Sequence, residues 1–344
     1  VSNNISQFFI LEKIINNGYV ILDLKLNFDE LGNIKNDYEI EGTIKDGNII
    51  FTKKNNLKNI NLNFYIQKDS FLFQEIKFTS NGINFISELL SVKRKNNNFF
   101  LNGDFENKKS SLNINFLKLF KINFKGLDLE NTNFRSKNNF SLEIDNKFNF
   151  KNFILNSDIH VHQLKYIKPE IIKNYLPDIN EKILLNDHKI RVDYKNDKLS
   201  IEGNGKIQLE DKFDEIEYLI FKKNNNFSFF SSLNLENVNL KKHTFLQDYF
   251  PNINDKINLK NQKLIINYEN KNISVSGEGK VKIDNDFDKI NYLILKKDNN
   301  FNFDFVLNMD QTQFKIDQLN YQKKNTTESQ LKLKGNFDHN KNRG

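Results

Sequence analysis

The chain contains an internal duplication, and this feature restricts its possible folds more than any other. Residues 175–235 align without gaps with residues 249–309, at a constant offset of 74 residues and with 28 identities in 61 positions. Identity at this level over so many positions indicates one structural unit that is repeated along the chain.

Both copies show a hydrophobic period of two. In the first copy, apolar residues and glycines at alternate positions from 199 to 209 are separated by polar residues, and positions 273–283 repeat this pattern. Successive side chains of a strand point to opposite faces, so each copy predicts a strand with one apolar face. The glycine pairs Gly203/Gly205 and Gly277/Gly279 fall on that face. They indicate a bend, a bulge or another group close to the backbone.

The first half of the chain has the same alternation with a weaker repeat. Asp46-Gly47 lies between two apolar runs and predicts a type I′ hairpin turn. The segment 95–99 resembles the Lys-Lys-Asn and Lys-Lys-Asp turns of the duplicated region. Residues 169–175 predict one or two helical turns, because Pro169 suits the first turn of a helix. Residues 245–249 are their counterpart, and residues 5–15 fit either a helix or a strand.

These patterns predict a mainly β protein. We expect an elongated, repetitive antiparallel sheet, curled into a groove or an open β-sandwich, with one or two short helices. The working division is an N-terminal β-repeat region at 1–154 and a second β region at 155–344. The second contains units near 175–248 and 249–322. One continuous β structure is equally compatible with the pattern, and both ends of the sequence look like cuts through a longer chain.

Composition narrows the classes of function. The 344 residues include no cysteine, 51 basic and 44 acidic residues, and a net charge of +7. The basic residues are interspersed with acidic ones, whereas a nucleic-acid site needs them concentrated on one face. Nucleic acid is therefore not an expected partner. We interpret the exceptions, Lys93-Arg94-Lys95, Lys222-Lys223 and Lys296-Lys297, mainly as turn residues.

The sequence contains no recognisable catalytic motif. His160 and His162 would share one face of a strand, but no third metal ligand follows at a suitable spacing. Phosphate-binding glycine loops, nucleophile elbows and zinc-protease motifs are absent from the sequence. A glycosidase pair among the 44 carboxylates would not be visible in sequence, although the lack of Trp argues against sugar binding. We expect a protein without enzymatic activity, cofactor or metal.

The apolar stripes leave two interpretations open. They either pack against a second sheet as a closed core, or they line a gutter that holds acyl chains. The candidates for a lipid groove are the alternating apolar residues of the duplicated region: Leu199, Ile201, Ile207, Leu209, Phe227, Phe229, Ile273, Val275, Val281, Ile283, Phe301, Phe303 and Phe305.

Three segments carry a resemblance to a known family. Residues 41–51, 57–64 and 99–105 resemble the strand pairs that recur in AsmA-like proteins of the bacterial envelope. The duplicated Tyr-Leu-Pro-Asp and Tyr-Phe-Pro-Asn units are similar in style to the central β region of the YhdP and TamB group. The resemblance covers roughly residues 15–335, in pattern more than in motif.

The resemblance implies a non-catalytic protein of the periplasm. Such proteins are anchored in the inner membrane, form long β grooves, and are linked to phospholipid movement and outer-membrane integrity. This sequence has neither a signal peptide nor an apolar run near the ~20 residues of a spanning helix, so no anchor is visible in it. The implied partners are a phospholipid or another acyl lipid, and the inner membrane. The alternative is a structural or adhesive β-repeat protein without a lipid ligand, and the oligomeric state is left open.

Overall fold

The computed structural model describes residues 15–35, 37–52, 55–115, 126–147, 149–298, 300–324 and 327–338. Within them the chain forms 20 strands. Their bounds are β1 Ile15–Lys25, β2 Glu39–Thr52, β3 Asn55–Gln67, β4 Ser70–Ser80, β5 Ile83–Lys95, β6 Asn98–Ser111, β7 Leu127–Asp128, β8 Asn133–Ile144, β9 Phe150–Ile167, β10 Lys182–Lys195, β11 Lys198–Gln208, β12 Phe213–Lys223, β13 Asn226–Lys241, β14 Lys256–Glu269, β15 Asn272–Lys282, β16 Phe287–Lys297, β17 Asn300–Met309, β18 Phe314–Ile316, β19 Tyr321–Lys323 and β20 Ser329–Asp338.

The strands form a long antiparallel meander. Eighteen strands belong to one sheet that is not closed, and β18 pairs with β19 separately. Neighbours in sequence are neighbours in the sheet, except that β8 pairs with β6, β7 pairs with β9 and β20 pairs with β17. Among the described residues, helix is found in α1 (Glu170–Lys173), in the 3₁₀ turns Thr244–Asp248 and Asp317–Leu319, and at 114–115. The predicted mainly β, repetitive antiparallel fold is confirmed.

Short asparagine turns close many of the hairpins. Asn96 and Asn97 have φ angles of 49° and 63°, and Lys95 pairs with Asn98 across them. Asn270 and Lys271 close the hairpin between β14 and β15 in the same way, with φ angles of 48° and 68°. Two central residues with positive φ define the type I′ turn, which suits asparagine. The prediction that segment 95–99 is a hairpin turn is therefore confirmed.

The prediction of a hairpin at Asp46-Gly47 is wrong. Strand β2 continues through this dipeptide and pairs along its length with β1 and β3. Asp46 has a φ of 54°, and the register against β3 shifts between Ile44 and Gly47. An Asp in the left-handed region followed by Gly suits a β-bulge as well as a turn. Because β2 pairs with β1 on one side and with β3 on the other, the dipeptide forms a bulge and not a turn.

The helical segments lie where the sequence predicts them. Pro169 is the N-cap of α1, and the counterpart segment forms the 3₁₀ turn Thr244–Asp248. The segment 5–15 lies almost entirely outside the described residues.

The chain divides into two compact units. Unit 1 comprises Val1–Phe124, Leu129–His162 and Ile190–Lys198, and unit 2 comprises Lys125–Asp128, Gln163–Lys189 and Leu199–Gly344. Strands β14 to β17 each begin 74 residues after β10 to β13, respectively. Unit 1 contains the buried clusters around Ile40 and Ile83, and unit 2 contains those around Leu233 and Val281.

Candidate functional site

The candidate site is the apolar face of the sheet in unit 2, which we call the inner face. Cross-strand register places Leu233, Leu264, Gly277, Tyr292 and Phe305 in one row across β13 to β17. Since every second residue of a strand lies on the same face, the rows on either side belong to this face too. Apolar side chains therefore continue from strand to strand without a change of face.

Burial on the inner face changes along each strand. On β17, Met309 and Leu307 are 3% and 6% exposed, whereas Phe303 is 37% exposed. On β13, Val238 is 3% exposed and Phe227 is 41% exposed. These two strands thus have a buried end and a hairpin end at which an aromatic side chain reaches the surface. A closed core would bury both ends.

The structure places the lipid-groove candidates on this graded face. Two of them are buried, nine are partly buried and two are exposed. The buried pair is Val281 and Ile283; the exposed pair is Phe227 and Phe303; the partly buried ones are Leu199, Ile201, Ile207, Leu209, Phe229, Ile273, Val275, Phe301 and Phe305.

Three segments cover the buried ends, and we call them the caps: residues 168–181, 242–255 and 310–323. The first two contain the duplicated Tyr-Leu-Pro-Asp and Tyr-Phe-Pro-Asn motifs. Phe250 and Ile253 of the second cap and Phe314 of the third join the cluster with Val281 and Met309. The strongest repeat in the sequence thus belongs to the caps and to the strands they cover.

Repeated hydrogen bonds hold the caps to the strand ends. The backbone N–H of Asn180 donates to Leu209 O at 2.8 Å, and that of Asn254 donates to Ile283 O at 2.9 Å. Both side-chain amides donate to the next carbonyl, Glu210 O and Asp284 O. Each asparagine therefore satisfies two carbonyl groups that the end of its strand leaves unpaired.

The third cap is held by a buried carboxylate. Asp288 is 2% exposed and accepts backbone N–H groups from Asp310, Gln311 and Thr312 at 2.9, 3.1 and 3.1 Å. Its counterpart Asp214 accepts one, from Glu236 at 2.7 Å. Burial raises the pKa of the Asp214 carboxyl group, and the hydrogen bond from Glu236 opposes this.

The glycine pairs of the inner face make room for large side chains. A Cβ atom on Gly277 would overlap the Tyr292 ring, and one on Gly279 would overlap the Gln262 amide. In the first copy of the 74-residue repeat, Gly203 lies under Tyr218, and Gly205 lies under His188. Of the three alternatives left open by the sequence, the close approach of another group to the backbone is confirmed.

His188, which is buried, and Tyr218, which is partly buried, pack together over the first glycine pair. The His188 Nε2–H donates to Lys206 O at 3.1 Å, so a neutral ring accepts from the Tyr218 hydroxyl through Nδ1, at 3.3 Å. Burial lowers the pKa of His188 and raises the pKa of Tyr218 to about 12. Both groups are therefore uncharged at neutral pH, as an apolar face requires.

The corresponding face of unit 1 buries several polar side chains. Ser87, Asn107, Ser136 and Asn138 are 6%, 2%, 6% and 7% exposed. The Asn138 amide donates to Phe105 O at 2.9 Å and to the Ser136 hydroxyl at 3.1 Å. These polar residues lie beside the apolar cluster around Ile83. Nearer the hairpin ends, apolar residues continue from strand to strand in unit 1 as well, in a row formed by Ile40, Ile66, Phe71, Val92, Leu101 and Leu142.

A cavity of about 810 Å³ in unit 1 lies on the polar side of the sheet. Six strands each contribute three consecutive residues to its lining, for example Glu75, Ile76 and Lys77. In most triplets the side chain of the central residue is buried on the other face of the sheet. The flanking residues, such as the charged Lys77 and Glu88, therefore form the walls of the cavity. None of the lipid-groove candidates lines this cavity.

Three basic residues at hairpin ends are placed differently from the sequence interpretation. Arg94, Lys222 and Lys296 lie opposite Phe99, Phe227 and Phe301, respectively, on the apolar side of their hairpins. The sequence indicates mainly turn residues in their segments, whereas the structure places all three in strands. Their alternation with the neighbouring apolar residues was the signal that could have placed them.

The histidine pair does not assemble a metal site in the part of the chain that the structure describes. His160 and His162 lie on β9, both on the face opposite Val161. No group of three or more His, Cys, Asp or Glu side chains among the described residues is arranged to hold a metal ion. Within the same residues, no helix has the length and apolarity needed to cross a bilayer.

The chain was compared with protein-family models, with curated proteins and with solved structures, and none of them matches it.

Proposed function

We propose that this chain is a non-catalytic, AsmA-like protein of the bacterial periplasm that holds the acyl chains of phospholipids on the inner face of unit 2. The observation that carries the proposal is the continuous row of apolar side chains across neighbouring strands, partly exposed at the hairpin end. Apolar surface of this extent is uncommon on a monomeric soluble protein unless it meets a partner or lipid.

Burial energetics support a lipid occupant. Covering apolar surface contributes about 25 cal/mol per Å², so Phe227 and Phe303, at 41% and 37% exposure, forgo part of their stabilisation in the free protein. An acyl chain lying across them would recover it at about 0.8 kcal/mol for each buried CH₂ group. The family resemblance adds the inner membrane as the place of attachment and outer-membrane integrity as the process supported.

The experiment is direct. The full chain is expressed in bacteria, purified without detergent, extracted with solvent and analysed for phospholipid by mass spectrometry. We expect co-purified lipid, and uptake of a fluorescent phospholipid by the stripped protein. Phe303→Asp should abolish uptake, whereas Asn302→Asp, on the opposite face of the same strand, should not. A lipid-free, monodisperse protein that also fails to take up the probe would contradict the proposal.

The second candidate is a structural or adhesive β-repeat protein without a ligand. The caps favour it, because they bury one end of the inner face with protein side chains such as Phe250. It predicts that Phe303→Asp changes neither lipid content nor probe uptake.

A further inference from the structure

We propose that Arg94, Lys222 and Lys296, each just before the turn of a hairpin, form anion clasps that bind the phosphate of an anionic phospholipid headgroup. This inference rests on the proposed function and specifies which lipids the apolar faces accept. A clasp is defined as the basic residue together with the phenylalanine opposite it on the next strand: Arg94 with Phe99, Lys222 with Phe227, and Lys296 with Phe301.

The clasps share one sequence pattern. Each is a basic residue, a lysine, three residues of Asn or Asp, and a phenylalanine, at 94–99, 222–227 and 296–301. The tight turn places the first and last residues directly opposite each other. Because both belong to the apolar side of the hairpin, a cation lies at the rim of each apolar surface.

In the clasps at Arg94 and Lys296, contacts inside the clasp keep the cation at that rim. The Arg94 guanidinium lies 5.9 Å from the centre of the Phe99 ring, and the Lys296 ammonium lies 5.6 Å from that of Phe301. Arg94 also donates weakly to the Asn97 side chain at 3.4 Å, and Lys296 donates to Asp298 O at 2.6 Å. These contacts orient the charges without neutralising them.

Carboxylates do not compete for these cations among the described residues. The ion pairs found there use other basic residues, such as Lys256 with Asp178 at 2.6 Å. A cation without a counter-ion at the edge of an apolar surface is complementary to an acyl lipid with an anionic phosphate. Arginine and lysine are the side chains that suit phosphate.

The intervening hairpins supply a contrast within the same sheet. At the equivalent inner position, the hairpins between β10 and β11 and between β14 and β15 carry Tyr194 and Tyr268 instead of a cation. In unit 2, the clasps at Lys222 and Lys296 are four strands apart, which is roughly 19 Å at about 4.8 Å per strand. That spacing gives each 74-residue unit one headgroup position.

The test compares two variants with equal loss of charge. The clasp variant carries Arg94→Gln, Lys222→Gln and Lys296→Gln. The control variant carries Lys195→Gln, Lys198→Gln and Lys271→Gln, in the intervening hairpins and away from the inner positions. Each full-length protein is loaded from phosphatidylglycerol vesicles or from a diacylglycerol dispersion and separated from them by gel filtration. Bound lipid per chain is then counted by mass spectrometry.

We expect the clasp variant to need about fivefold more phosphatidylglycerol for half-maximal loading, since one basic residue near a lipid phosphate contributes about that factor. Its diacylglycerol loading and its thermal midpoint should be unchanged, and the control variant should load both lipids like the wild type. Equal losses in the two variants would show that diffuse charge, and not the clasps, attracts the lipid. A clasp variant that loads phosphatidylglycerol like the wild type would also overturn the proposal. If the wild type loads neither lipid, the proposed function fails and the clasps fail with it.

Discussion

The two units use the same strand geometry for different interiors. In unit 2, apolar rows continue across the inner face and caps bury one end of them. In unit 1, an apolar row also crosses the sheet near the hairpin ends. Further along its strands, buried polar side chains such as Asn107 and Asn138 take the inward positions and donate to backbone carbonyls. Alternation with a period of two specifies a sheet in both cases. The identity of a few inward residues decides which part of its face is apolar.

The largest expected effect concerns the caps. Phe250→Ala should lower the free energy of unfolding of unit 2 by about 3–5 kcal/mol, because the side chain is buried in the cap cluster. Phe227→Ala, at the open end of the same face, should cost less than about 1 kcal/mol. Hydrogen exchange measured at increasing urea concentrations gives the free energy of unfolding of both variants. Equal losses, or loss of protection in unit 1 as well, would break the distinction between the units.

The next effect concerns two buried carboxylates: Asp288, which holds the third cap, and Asp214, which accepts from strand β13. Asp288→Ala leaves three backbone N–H groups without an acceptor and should cost about 3 kcal/mol. Asp214→Ala removes one such bond and should cost about 1–2 kcal/mol. Amide exchange at residues 310–312 should rise in the first variant only. Unchanged exchange there would show that the third cap is held by its apolar contacts.

A smaller effect is expected from the glycines that accommodate large side chains. Gly277→Ala should destabilise unit 2 by about 2 kcal/mol, because its methyl group meets the Tyr292 ring. Gly103→Ala in unit 1 meets the end of the Leu90 side chain, which can rotate, and should cost less than about 1 kcal/mol. Combining Gly277→Ala with Tyr292→Ala should recover part of the loss in a double-mutant cycle. Additive losses would refute the steric explanation.

The smallest effect is the pH dependence that His188 confers on unit 2. Burial lowers the pKa of the ring in the folded state, so the unfolded state binds the proton more readily. The stability contribution of His188 is complete above its ordinary pKa of about 6.5 and is lost as the pH falls below it, by at most about 1.4 kcal/mol per pH unit. His188→Gln, which installs the residue found at position 262, should remove this dependence. A variant with the wild-type slope between pH 6.5 and 5 would assign it to other groups.

Much of the fold can be predicted from the sequence, because local patterns and tertiary contacts agree. Alternation along the strands and the asparagine turns, such as Asn96-Asn97, predict antiparallel hairpins that the structure contains. Asp46-Gly47 could not be assigned in this way. The same dipeptide satisfies a turn and a bulge, and the strands on both sides of β2 exclude the turn.

The candidate site is less accessible to sequence reasoning. The apolar residues are visible as a pattern, but which of them are covered depends on where the caps fold back. Val281 and Val275 are both valines on one strand and one face, yet only Val281 is buried. Contacts with Phe250 and Phe314, distant in sequence, make that difference. The placement of Lys296 on the apolar side similarly depends on a cross-strand register that no single segment reveals.

The sequence by itself determined a repeated antiparallel sheet with one apolar face, because side-chain alternation and turn residues act over a few neighbouring positions. Only the tertiary structure decided that caps close one end of that face in unit 2 and that polar side chains are buried on part of it in unit 1. Burial and counter-charge are properties of groups brought together from distant parts of the chain. For the same reason, the position of the three cations opposite phenylalanines became visible only when the strands were paired.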